Sequence, residues 1–167
     1  ITITDAMYHE GPIARYDYDE GRVGWPSALM PPEDRRGTAG DILSAETQAT
    51  AMDLGDLAHA YRSLTGPTTG MQDDYRHLTP SRNCRGENAG DAVFRFTLSQ
   101  RTELVVDTVG SSFDTSLGLR DASFQPIDGA CNDDALPSLG YSQASMVVRT
   151  LDAGTYYVIV DGTGEGG

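Results

Sequence analysis

From Ala92 to Leu98 the chain alternates, with Ala92, Phe94, Phe96 and Leu98 apolar and Val93, Arg95 and Thr97 between them. Period two over this length predicts a half-buried strand. Leu104-Val105-Val106 follows after a turn at residues 99–102, which predicts a hairpin. Leu117 and Leu119 flank Gly118 in a third strand. Residues 146–151 and 155–160 give a fourth and a fifth, joined by the tight-turn sequence Asp152-Ala153-Gly154. Strands recur with Gly, Asp and Ser loops between them, and no long amphipathic helix interrupts. That spacing predicts an all-β fold, an antiparallel β-sandwich of the jelly-roll kind.

Upstream the pattern is looser. Ile1-Thr2-Ile3-Thr4 is a short β-prone run. It leads into an arm carrying Tyr8, Tyr16, Tyr18 and Trp25, which Pro26, Pro31 and Pro32 keep from forming a long regular element. Residues 37–90 mix turn signals with short apolar stretches, and a helical turn is expected around 43–51. The organisation read from this is a strand and arm over 1–36, then a sandwich domain over 37–167 that lacks its last strand.

Charge narrows the function. There are 25 acidic side chains against 12 basic ones, a formal net charge of -13. Every basic side chain among Lys and Arg is arginine, and Asp far outnumbers Glu. Such a field repels a polyanion, so nucleic acid is excluded as a partner. The longest apolar run, residues 156–160, is far too short for a spanning helix, so no membrane insertion is expected. The chain opens at Ile1 without a methionine, and a preceding segment is expected.

Cys84 and Cys131 have no metal-like spacing, since a zinc site needs four ligands and a haem site a C-x-x-C-H run. Two readings stand: one disulfide in an oxidising compartment, or two buried free thiols.

Four segments in order carry a resemblance. They are Gly90-Asp91-Ala92-Val93-Phe94-Arg95-Phe96-Thr97-Leu98, Gly110-Ser111-Ser112-Phe113-Asp114-Thr115-Ser116-Leu117, Ala130-Cys131-Asn132-Asp133-Asp134, and Ala153-Gly154-Thr155-Tyr156-Tyr157-Val158-Ile159-Val160-Asp161-Gly162. Together they resemble the bacterial pre-peptidase C-terminal domain. The stretches at 49–55 and 70–75 fit its entry region, so the resemblance covers about 37–162. It implies a small, non-catalytic β-sandwich attached to secreted proteases and surface proteins. Some members bind calcium or extracellular polymers. An extracellular or cell-surface location follows as an expectation.

The chain departs from that family at its end. The family continues after Val-Asp-Gly with a glycine-rich turn and one more strand, whereas here Gly162-Thr163-Gly164-Glu165-Gly166-Gly167 supplies only the turn. Ile1, Thr2, Ile3 and Thr4 are the kind of segment that would come next. Three arrangements are open: the strand fills its own sandwich, fills a neighbour's by strand donation, or closes the previous unit of a tandem repeat.

The carboxylate-bearing loops are the candidate site. Asp73 and Asp74 precede Tyr75, Asp114 follows Phe113, and Asp133 and Asp134 follow Asn132. A bridge between Cys84 and Cys131 would draw the last two towards the region of 74–84. Converging carboxylates need a cation or else a raised pKa, and Ca²⁺ suits short oxygen ligands on loops. The competing reading is that they bond loop amides or face solvent. No catalytic residue is expected: His9, His59 and His77 are scattered, with His59 a surface residue of a strand, and Ser111-Ser112 lacks a nucleophile elbow.

The expected function is therefore a non-catalytic extracellular structural or adhesive unit. Its partners would be copies of itself or adjacent repeats, and the N-terminal strand would complete a neighbouring sandwich. The alternative is a ligand-binding accessory module, for polysaccharide or protein matrix, of a larger secreted hydrolase.

Overall fold

The apolar alternation is met by two facing sheets. The computed structural model describes residues 1–5, 45–78, 83–84, 86, 88–134 and 143–163. The aromatic arm, His9, the boundary at 36/37 and the glycines after Thr163 lie outside the described residues.

The strands in chain order are β1 (Thr2–Asp5), β2 (Met52–Asp56), β3 (Tyr61–Ser63), β4 (His77–Leu78), β5 (Asn83–Cys84) and β6 (Ala92–Leu98). They continue as β7 (Thr102–Asp107), β8 (Thr115–Arg120), β9 (Pro126–Asn132), β10 (Met146–Leu151) and β11 (Gly154–Gly162). One sheet runs β10-β7-β1-β3 and the other β2-β6-β11-β8-β9, with β4 and β5 as a separate hairpin. Pairings are antiparallel except β2, which lies parallel to β6. The helical turn expected at 43–51 is a short 3-10 helix at Gln48–Thr50, opened by Thr47 through a reciprocal capping box.

Two connections differ from the expectation. β6 and β7 do not form a hairpin, because β6 pairs with β11 and β2, and β7 with β10 and β1. β10 and β11 likewise belong to different sheets despite the tight turn between them. The cause is burial. Phe94, Phe96 and Leu98 of β6 and Leu104 and Val106 of β7 all enter one core. A hairpin would set these two apolar rows side by side on one wall, whereas an arch sets them on opposite walls that close on each other.

The second sheet is covered on its outer face too. Val93, Tyr157 and Ile159 form a smaller buried cluster capped by Ala51, Tyr75 and Phe124. Phe124 meets both tyrosines edge-on with centroids 5.1 Å apart. This is why β6 and β11 read as nearly continuous apolar runs at their buried ends.

β1 lies inside its own sandwich. Ile3 is paired with Val106 of β7 on one side and Arg62 of β3 on the other, and its side chain is fully buried in the main core. Leu64 N–H donates to Ile1 O at 2.9 Å, extending the seam past β3. In the single chain the strand thus takes the first of the three arrangements left open by the sequence.

Candidate functional site

Val160 of β11 is paired with Ala92 of β6, so Asp161 and Asp91 fall on the next rung. Each ends an apolar strand, and each is fully buried. Asp91 Oδ2 accepts from the backbone N–H groups of Asp74 and Tyr75, both at 2.7 Å, and so folds the 71–76 segment onto the start of β6. Asp161 Oδ1 accepts from Gly162 N–H at 2.6 Å. Asp91 Oδ1 and Asp161 Oδ2 have no donor among the described residues. The two side chains are within hydrogen-bonding reach of each other. As two acceptors, they bond only if one keeps its proton.

Electrostatics favour that proton. Burial, reinforced by the negative charge of Asp91, raises Asp161 to about 8. Burial also raises Asp91, to about 6, against the opposing pull of the Tyr75 and Asp74 amides and with Asp73 adding to the rise. Two buried carboxyls on one rung hold a proton between them because both cannot ionise without a counter-charge.

His77 packs beside this pair. It is buried, its Nε2 has no partner among the described residues, and desolvation followed by the charge of Arg120 brings its pKa down to about 3. The imidazole is therefore neutral. Two glycines make room for it: a Cβ on Gly118 of β8 would run into His77 Nδ1, and one on Gly86 into Asp161 Oδ2 and the His77 ring. Gly118→Val is expected to cost roughly 1–3 kcal/mol through overpacking, read as a lowered urea midpoint at unchanged slope. A midpoint equal to wild type would show that His77 is not wedged there.

Cys84 of β5 and Cys131 of β9 form a disulfide with Cα atoms 5.9 Å apart. It holds the β4–β5 hairpin, and with it His77, against the second sheet. Arg120 closes the other side, donating to Phe124 O at 3.0 Å and Arg76 O at 3.1 Å while lying over the Tyr75 and Phe124 rings.

The carboxylates singled out for calcium are dispersed. Asp73 Oδ2 accepts from Asn88 N–H at 2.9 Å, and Asp74 offers its backbone N–H to Asp91. Asp114 precedes β8 and gives its carbonyl to Thr163 N–H, with Oδ1 buried and unpartnered among the described residues. Asp133 and Asp134 follow β9, where Asn132 Nδ2 donates to Asp134 O. The disulfide draws the hairpin to β9, while Asp91 holds the Asp74 and Tyr75 amides at the start of β6. Among the described residues no three His, Cys, Asp or Glu side chains stand together so as to hold a metal ion.

The pair the sequence reading missed is Asp91 with Asp161. Both were visible as Gly-Asp and Asp-Gly at strand ends, but only the register makes them neighbours. His59 is on the surface as expected, in the turn between β2 and β3 and with φ +63° rather than in a strand. Ser111 and Ser112 lie in the loop between β7 and β8.

Among the described residues no helix is long and apolar enough to cross a membrane. Comparison with curated proteins and with solved structures gives no match. Comparison with family models does, over a shorter stretch than the resemblance spanned. Residues 90–162, from the Gly90-Asp91 entry of β6 to the Asp161-Gly162 exit of β11, match the family model of the bacterial pre-peptidase C-terminal domain.

Proposed function

We propose that this chain is a non-catalytic structural unit of an extracellular protein, joined to its neighbours by exchange of β1. Domains of this family are non-catalytic β-sandwich modules typical of secreted proteins. The observation that carries the exchange is the place of β1. It is a central strand, bonded to β7 and β3 along both edges. Yet 39 residues of sequence, 6–44, separate it from the next described segment. The covalent geometry of 39 residues allows a span of at most about 130 Å, several times the width of a small domain. The same seam can then be filled from a second molecule with every hydrogen bond and the buried Ile3 retained, which makes exchange nearly neutral in enthalpy. Head-to-tail donation of this kind extends into a line rather than closing. Each unit brings a net charge of -13, so repulsion opposes assembly and salt relieves it.

The test is refolding from denaturant at micromolar and at millimolar protein, followed by light scattering on a sizing column. Exchange predicts oligomers that grow with refolding concentration and with salt. Monomer at every concentration would overturn it. A chain lacking residues 1–5 should capture a tagged full-length chain but not a tagged Ile3→Asp chain.

A further inference from the structure

Where β1 begins and β11 ends, the two sheets part around a cleft of about 380 Å³. Its size falls at the lower end of ligand pockets. Leu64, Ala92, Phe94 and Val160, all core residues, make its floor. Its walls carry the hydroxyls of Ser63, Thr65 and Thr68 from the segment after β3, and of Ser111 and Ser112 from the β7–β8 loop. Phe113, half-buried, stands at the rim. In a chain of net charge -13, none of the side chains lining this cleft is charged.

Thr68 is the second observation. It is 3% exposed, and its Oγ1 has no hydrogen-bond partner among the described residues. A buried hydroxyl without a partner costs roughly 1–3 kcal/mol, a cost that a bound donor or acceptor removes. The cleft is thus a concave site without charged side chains, holding a buried hydroxyl that has no partner among the described residues.

We infer that this cleft binds one or two units of a neutral saccharide. The chemistry follows from the walls. Hydroxyls donate and accept at once, which matches sugar hydroxyls better than it matches an ion. Phe113 offers an aromatic ring for the C–H face of a sugar, and the floor takes what remains apolar. An anion would meet the repulsive field of the chain, and the Ile1 ammonium that lines the cleft already donates to Leu64 O at 3.0 Å, while a cation would find no carboxylate side chain there. A peptide would look for free backbone groups, but those of β1 at the mouth are bonded to β3 and β7. This role is independent of strand exchange and adds a ligand to the structural module.

The experiment is amide chemical-shift mapping on the full chain, titrated with cellobiose and with N,N′-diacetylchitobiose. Digalacturonate serves as the charged counterpart and a short neutral peptide as the other class. Either neutral disaccharide should shift residues 63–68 and 109–113 with millimolar affinity. Thr68→Val, which keeps the shape and removes the hydroxyl, should weaken binding about fivefold. Ser112→Trp, at an exposed rim position, should abolish it while leaving the remaining amide spectrum in place. No shift in those segments with either disaccharide, an equal response to digalacturonate, or a response to the peptide alone would overturn the inference.

Discussion

Replacing both Cys84 and Cys131 by alanine is expected to lower the unfolding free energy by about 4 kcal/mol, the value chain-entropy reasoning assigns to a loop of this length. The bridge spans 47 residues of sequence and joins β5 to β9. Unfolded, the cross-linked chain has fewer conformations to regain, and that part of the effect needs no native contact at all. The native side adds a second component. β4 and β5 are two residues each, and a two-stranded hairpin of that size does not hold itself in water. Without the bridge it is free to lift from the second sheet, taking His77 away from Gly118 and uncovering Asp161. Denaturant titration with and without reductant measures the total, and hydrogen exchange at residues 117–119 and 159–161 reads the local part. A loss below about 1 kcal/mol with unchanged exchange would mean that the hairpin is held by its packing alone.

The strands and the arches came from different kinds of information. The rows at 92–98, 104–106 and 155–160 announce themselves, because period-two burial is written in the residues that are buried. Which sheet each row joins is not written there, since Ser99-Gln100-Arg101 and Asp152-Ala153 serve an arch as well as a hairpin. The choice is made by Phe94, Phe96, Leu104 and Val106 closing on one another. β9 escaped notice because Pro126, Asp128 and Gly129 break any alternation, and its pairing with β8 is itself irregular. The same limit governs the site. Asp73, Asp74, Asp114, Asp133 and Asp134 were conspicuous as loop carboxylates but form no metal-capable group of three side chains among the described residues, whereas Asp91 and Asp161, 70 positions distant in sequence, meet through a single register. Adjacency along the chain was legible, and adjacency across the sheet was not.

Raising the pH from about 6.5 to about 8 is expected to destabilise the wild-type chain relative to Asp161→Asn, which holds no titrating carboxyl at that position. The signs follow from each group. Asp161 and Asp91 are raised in the folded state, to about 8 and about 6. Folded protein therefore holds protons that unfolded carboxyls release near pH 4, and stability falls as pH rises from there through about 8. His77 is lowered to about 3, so its contribution runs the other way, growing with pH up to about 6.5 and then levelling off. Below about 6.5 the two trends oppose each other; above it the carboxyl pair is opposed only by the Ile1 ammonium, whose pKa burial lowers and which titrates alike in wild type and variant. The limiting slope for one proton is about 1.4 kcal/mol per pH unit. The other charged groups near the pair are Asp73, which adds to the rise of both carboxyls, and Arg120, which senses Asp91. Asn at 161 keeps the shape and offers Asp91 a permanent N–H donor, so the rung stays bonded at any pH. Urea midpoints across this range should fall for wild type relative to the variant, which becomes the more stable of the two at the alkaline end. Parallel curves would show that no proton is held between β6 and β11.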